Sequence, residues 1–348
     1  MKAKNKKFTV IGVLSLTALC MFGQDVHFSQ MQFAPMMLNP ALAGANYANQ
    51  GTLVYRDQWK KSDAQFTTIN AGYDMRFADK KDKGFFGTGI NFYNDKAGTP
   101  RMTTNYVALS LGYHVRLNKY CTLGGAAQPA FGQRGIDYTP LQWGSQYDGS
   151  SFNAALPNGE PVGAATQFNF FDINGGIVFT YKSSEHYMTA NDNLNINVGF
   201  SAYHIAQPKY SFYGNAGEKL HRKYVFFANS LIGVPNSKLS FVPGVYVNIQ
   251  GSQKEILAGT YFRYLLQDKS VYTGIKKGAA FSLGTFYRAG DAFVAKAMFE
   301  WSHMSMGFAY DMNLSSYTKA SKGRGGFEIC LRFVSPNPFG AGTAKSRI

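Results

Sequence analysis

Six histidines, His27, His114, His186, His204, His221 and His303, are the side chains best suited to hold a metal or move protons near neutral pH. No two of them stand at metal-ligand spacing. Patterns of the H-E-x-x-H, G-x-S-x-G, P-loop and C-x-x-C kinds are absent. His204 beside Tyr203 is the one candidate for hydrolysis at a rim, and no motif supports it. The expectation is therefore no enzyme, no metal and no cofactor. What remains is a set of charges that recur on the polar side of alternating segments: Asp74, Arg76, Arg116, Arg263, Lys296, Glu300, Glu328 and Arg332. Opposite charges on neighbouring strands pair and fix register. A path for substrate is the other use of such a set.

Those segments have the period of strands. In 304–312, Met304, Met306, Phe308, Tyr310 and Met312 share one face, and Ser305, Gly307, Ala309 and Asp311 the other. In 103–117, Val107, Leu109, Leu111, Tyr113, Val115 and Leu117 alternate with Ala108, Ser110, Gly112, His114 and Arg116. The runs reach about ten residues or more, where soluble strands average about 5–6. A tilted strand needs roughly 9–11 residues to cross a bilayer. Apolar residues on one face and glycine, serine and charge on the other fit a lipid-facing exterior and a polar lumen. A soluble sandwich shares the alternation, but strand length and the content of 37 Gly, 29 Phe and 22 Tyr favour the membrane.

Fourteen such segments are expected, near 51–59, 66–77, 85–94, 102–117, 119–131, 168–182 and 193–206, then 223–234, 238–250, 254–266, 279–289, 292–301, 303–312 and 325–333. The fold expected is an all-β transmembrane antiparallel barrel over 51–333. An even count puts both termini on the periplasmic side. Asn118–Lys119, 235–237 and Ser302 then become periplasmic turns, and 132–167, 207–222 and 313–324 external loops. The connections 183–192 and 267–278 are long for such turns, and 251–253 is short for an external loop. The loops carry Trp143, Tyr147, Tyr210, Phe212, Tyr213 and Arg222, aromatic and cationic types that protein interfaces concentrate. Contact with a partner is one reading. Loops folded on one another over the mouth are the other.

Lys2, Lys4, Lys6 and Lys7 precede the apolar run 8–22, which has the length of a signal peptide. Gly23 offers a cleavage point, although Met21 sits poorly three positions before it. Cys20 raises a lipoprotein reading, but Leu19 fills a place where a lipobox wants a small residue. Residues 1–23 are read as a signal peptide and 334–348 as a short periplasmic tail. The net charge of +15 falls to about +11 without the four leader lysines. In an exported chain such a surface suits anionic lipopolysaccharide and outer-membrane lipid better than nucleic acid. Cys121 and Cys330 fall on opposite faces, so no disulfide between them is expected.

Residues 24–50 have neither period. They contain Asp25-Val26-His27-Phe28-Ser29-Gln30 and Leu38-Asn39-Pro40-Ala41-Leu42-Ala43-Gly44, and Tyr55-Arg56-Asp57-Gln58-Trp59 follows. Their order and spacing, with 307–316 and 325–333 near the other end, resemble the PorP/SprF family of outer-membrane proteins. That family serves type IX secretion in Bacteroidetes. The resemblance spans the mature chain. It implies a helper in export or surface attachment of cargo with a C-terminal sorting domain, gliding adhesins included. It implies partners among translocon or periplasmic ring and peptidoglycan-linking subunits. The motif residues it marks are His27, Phe28, Ser29, Gln30, Asn39, Pro40, Gly44, Arg56 and Trp59.

Independently of that likeness, an irregular segment must still satisfy its backbone groups. Docking in the lumen, against Arg56, Asp74 and Arg76, would do so and plug the barrel. A disordered leader is the alternative. The rival function is an outer-membrane pore or transporter for a small solute.

Overall fold

The computed structural model describes residues 25–59, 65–80, 83–99, 101–137, 141–159, 166–183, 191, 193–214, 217–267, 278–315 and 323–335. Residues 1–23, read as a signal peptide, with Cys20 among them, His186 and the tail beyond 335 lie outside the described residues. The strands are β1 (Asn49–Gln58), β2 (Phe66–Lys80), β3 (Gly84–Ala97), β4 (Met102–Arg116), β5 (Cys121–Gly135), β6 (Gln167–Ser183) and β7 (Leu194–Tyr203), followed by β8 (Lys223–Gly233), β9 (Leu239–Gln250), β10 (Gln253–Gln267), β11 (Ala279–Arg288), β12 (Ala292–Trp301), β13 (Met304–Asn313) and β14 (Arg324–Ser335). Each pairs antiparallel with its sequence neighbour, and β1 closes on β14. The fourteen-stranded barrel read from the sequence is the fold.

Alternation sets the two faces. Outside, Leu109, Leu111, Tyr113 and Val115 of β4 and Met304, Met306, Phe308 and Tyr310 of β13 are exposed, as lipid-facing residues must be. Inside, Ser110, His114, Lys296, Glu328 and Arg332 are buried. The eight charges expected in the lumen all keep the inward parity of their strands.

Turn chemistry fits one end of the barrel. Asn118 Oδ1 accepts from the N–H of Tyr120 and of Cys121, both at 2.8 Å, and so closes the β4–β5 hairpin. Asn236 and Ser302 take positive φ, of 58° and 57°, in the next tight turns at that end. The short connection at 251–252 lies at the opposite end, with Gly251 at φ 56°. Two residues suffice there because β9 and β10 pair up to Gln250 and Gln253.

The barrel is filled by its own N-terminal segment. Phe28, Phe33, Met36 and Leu38 are almost wholly buried inside it. Each contributes about 1.5–3 kcal/mol by leaving water. Short helical turns at 31–33, 35–38 and 40–42 let the segment close on itself where no strand neighbour is available. The wall is uneven. β2 to β6 have 14–17 residues, whereas β7, β8 and β11 to β13 have 10 or 11.

Candidate functional site

The segment threads the lumen from end to end. Gly44, at φ 68°, sits at the end where β1 begins. Its N–H donates to Asp74 Oδ1 at 2.9 Å. Arg76 donates from Nε to Gly44 O at 2.9 Å and from Nη2 to Ala45 O at 2.8 Å. A Cβ on Gly44 would lie 2.8 Å from Met75 O, so the close approach as well as the φ requires glycine. A little higher, Asn39 donates from Nδ2 to Ile177 O at 2.9 Å and Phe200 O at 3.0 Å, and its Oδ1 caps Ala41 N–H at 2.8 Å. Pro40 then starts a helical turn, where its missing N–H costs nothing.

Higher still, the segment meets a cluster of charge at the seam of the barrel. Arg56 and Glu328 face each other across the β1–β14 pair. Glu328 accepts the backbone N–H of Ser29 at 2.5 Å and of Gln30 at 2.8 Å, and also a bond from Arg56 Nη1. Ser29 Oγ donates to Asp311 Oδ1 at 2.7 Å and accepts from Arg56 Nη1 at 2.9 Å and Arg288 Nη2 at 2.7 Å. Asp311 also receives Arg56 Nη2 at 2.9 Å and Arg288 Nη1 at 3.0 Å. His27 Nε2 and Arg288 Nε each lie 3.7 Å from Glu255 Oε2. Each of these carboxylates has a cation within 4 Å, as burial demands, whereas Lys296 Nζ beside them has no hydrogen-bond partner and lies 3.4 Å from the Phe286 ring centroid. Arg288, Asp311 and Glu255 were not singled out in the sequence. The parity that marks Lys296 and Glu328 as inward marks them too.

The first described residues reach the far mouth, opposite the end that holds the barrel's first and last strand residues. The expected periplasmic N-terminus therefore does not describe residue 25. Asp25 Oδ2 accepts from Lys223 Nζ at 3.3 Å and faces His204 Nε2 at 3.2 Å. His204 Nδ1 lies 2.6 Å from Asp172 Oδ2, so both ring nitrogens meet carboxylates. Burial opposes the imidazolium, but the two carboxylates prevail and hold it up to about 9. Burial likewise opposes charge on Asp25, and Lys223 and His204 hold it well below the usual carboxylate range. Burial pushes His27 down to about 4, against the pull of Glu255. His204 thus ties Asp25 of the plug to Asp172 of β6, as a latch.

Above the latch opens a vestibule of about 980 Å³, with Asp25, His27 and Arg56 in its floor and Trp59, Phe66, Tyr93, Arg134, Tyr210 and His221 in its walls. Trp59, grouped with the plug motif in the sequence, stacks edge-on against Phe66 at 5.6 Å and belongs to this wall. Two loop residues expected at an exposed contact surface are placed differently. Tyr210 lies 5.3 Å from both Phe168 and Phe170 and bonds to Arg134, and Phe212 lies 4.9 Å from Phe168. These rings gain more by covering the inner face of the tall wall than by meeting water. Tyr147, Tyr213 and Arg222 are exposed, and Trp143 is half-buried. Among the described residues no group of histidine, cysteine and carboxylate side chains could hold a metal. Cys121 and Cys330 are free thiols.

A closed barrel with lipid-facing alternation and a lumen plugged by its own residues 25–45 defines an outer-membrane β-barrel protein. The family model for the type IX secretion system membrane protein PorP/SprF matches residues 21–333, and the chain belongs to that family. No curated protein matches it. Among solved structures it is similar to the toluene transporter TbuX of Ralstonia pickettii, at TM-score 0.47 and 10% identity over 86% of this chain and 92% of that one. It is also similar to CdiB of Escherichia coli, at TM-score 0.43 and 11% identity over 83% and 63%. The translocator domain of the autotransporter NalP of Neisseria meningitidis gives TM-score 0.38 and 11% identity over 88% and 96%.

Proposed function

We propose that this outer-membrane component of type IX secretion is non-enzymatic. In this reading it supports export or surface attachment of cargo with a C-terminal sorting domain through protein–protein contacts, in gliding as in secretion. The observation that carries the reading is the plugged lumen beneath an open vestibule. Residues from Asp25 to Ala45, tied to the wall through Asp25 to Lys223, Ser29 to Asp311 and the Ala45 carbonyl to Arg76, occupy the route a solute would take, while the vestibule keeps walls of aromatic and charged side chains toward the outside. Those walls suit a polypeptide. Translocon, periplasmic ring or peptidoglycan-linking subunits would meet the other end, and lipopolysaccharide the basic outer rim. This orientation takes the barrel's first and last strand residues, Asn49 and Ser335, as periplasmic.

The test fills the vestibule without touching the plug. Ala97 lines it, and Ala97→Trp should stop recovery of cargo when the tagged barrel is pulled from its own outer membrane in mild detergent. The barrel itself should remain heat-modifiable. Cargo recovered at wild-type level would overturn the vestibule's role, and a current through the wild-type protein in a planar bilayer would restore the pore reading.

A further inference from the structure

β6 runs from Gln167 to Ser183 but pairs with β7 only from Gly175 onward. On its other side the ladder with β5 continues to Gln167. The stretch Gln167–Asn174 therefore stands beside one strand instead of two. β7 stops because His204 takes φ 56° and the chain turns into the mouth. There Tyr210 packs on the lumen side of Phe168 and Phe170. The chain's own next residues are held inside the vestibule and do not extend β7.

One main-chain bond crosses the gap. Ile205 N–H donates to Ile173 O at 3.0 Å. That bond fixes which way the main chain points, because backbone groups in a strand alternate sides. Phe171, Asn169 and Gln167 direct their N–H and C=O the same way as Ile173. Among the described residues none of these three has a backbone partner on that side. Phe171 is 77% exposed, Ile173 54%, and the Phe171 ring lies 5.2 Å from Phe131. Among the described residues the edge is thus extended, unpaired and apolar on its outer face, the combination that invites another strand.

We propose that Gln167–Phe171 receives an extended strand of the exported polypeptide by addition to the sheet. Alternate donors and acceptors along a straight edge are matched by another extended backbone and by little else. The notch opens directly beside the vestibule, so a chain lying there continues out along β6. An apolar residue of the added strand covers Phe171 on the outer face, and its neighbours point inward over Tyr210. This rests on the export reading above.

The test uses the full-length protein in its native membrane. Phe171→p-benzoylphenylalanine is cross-linked by light and the adduct peptide is sequenced. The same experiment is repeated with Asn169→Pro and Asn169→Ala. The Asn169 N–H points away from β5, so proline leaves the β5 ladder intact and blocks only the open side. Both variants lose the bond from Gln133 Nε2 to Asn169 Oδ1, so their difference isolates the backbone. The expected result is an adduct with a peptide of a protein that carries a C-terminal sorting domain. It should fall roughly tenfold or more with Asn169→Pro and persist with Asn169→Ala. An adduct with residues 160–165 of the same chain, with a second copy of the barrel, or one indifferent to proline overturns the proposal. If both Asn169 variants export normally while Ala97→Trp does not, the strand edge fails and the export reading stands. A proline-sensitive adduct with a protein that is not exported upholds strand addition and overturns the export reading.

Discussion

The two halves of the plug are held by different physics. From Pro35 to Ala45 the segment is fixed by apolar burial and by neutral or singly charged bonds to backbone, as at Asn39 and Gly44. From Asp25 to Gln30 it is fixed by charge: Glu328, Asp311, Arg56, Arg288, Asp172, His204 and Lys223 all bear on six residues. Apolar packing tolerates changes of pH and salt. A buried charge network does not tolerate loss of a member, because the remaining charges are then stranded. The lower half is therefore the fixed anchor, and the upper half is the part that chemistry can release.

The largest expected effect breaks the upper half. Arg56→Ala leaves Asp311 and Glu328 short of a cation, at about 3–5 kcal/mol for a buried pair that loses one partner. Amide exchange should rise sharply over 25–30 and little over 39–45, and planar bilayers should begin to show current. Equal exchange in both halves would mean that the plug moves as one body.

Asn39→Ala should act in the opposite half and more weakly. It removes a cap and two carbonyl contacts, about 1–3 kcal/mol. The melting temperature of the detergent-solubilised barrel should fall while conductance stays closed. Current through that variant would make the lower half the gate.

Smaller effects come from pH. His204 is held at about 9 against an ordinary 6.5, so its share of the latch is complete below about pH 6.5 and is lost as pH rises through 9. His27, held at about 4, acts with the other sign, and acid between pH 6.5 and 4 favours the released segment. Exchange over 25–28 should therefore pass through a minimum near neutral pH after correction for intrinsic rates. His204→Gln should flatten its alkaline limb alone, and an unchanged limb would remove His204 from the latch.

The smallest effect is chemical. Cys330, buried against Gln30, should resist maleimide until the upper half is released, and Arg56→Ala should expose it. Labelling at equal rates in both proteins would separate plug release from access to the seam.

Much of this architecture was legible in the residues. Side chains in a strand must alternate, so a run such as Met304 to Met312 declares both faces at once. Turn residues such as Asn118 mark where the strands end. The eight lumen charges followed from that parity, and so would Arg288 and Asp311 have followed. The irregular segment was expected over 24–50, on two prolines and no period, whereas β1 already begins at Asn49.

Tertiary structure alone decided the rest, since it depends on contacts between distant residues. Nothing local in Asp25 places it at the far mouth beside Lys223 and His204. That follows from a segment running the length of a closed lumen. Tyr210 and Phe212 have the composition of a contact surface, and only the inner face of β6 shows that they are spent on Phe168 and Phe170. The unpaired edge at Gln167–Phe171 is likewise invisible in sequence, where β6 is one long alternating run. It becomes an edge because β7, the neighbour, turns away at His204. Local pattern fixes what each strand offers to either side, and only the closed barrel determines what stands there to receive it.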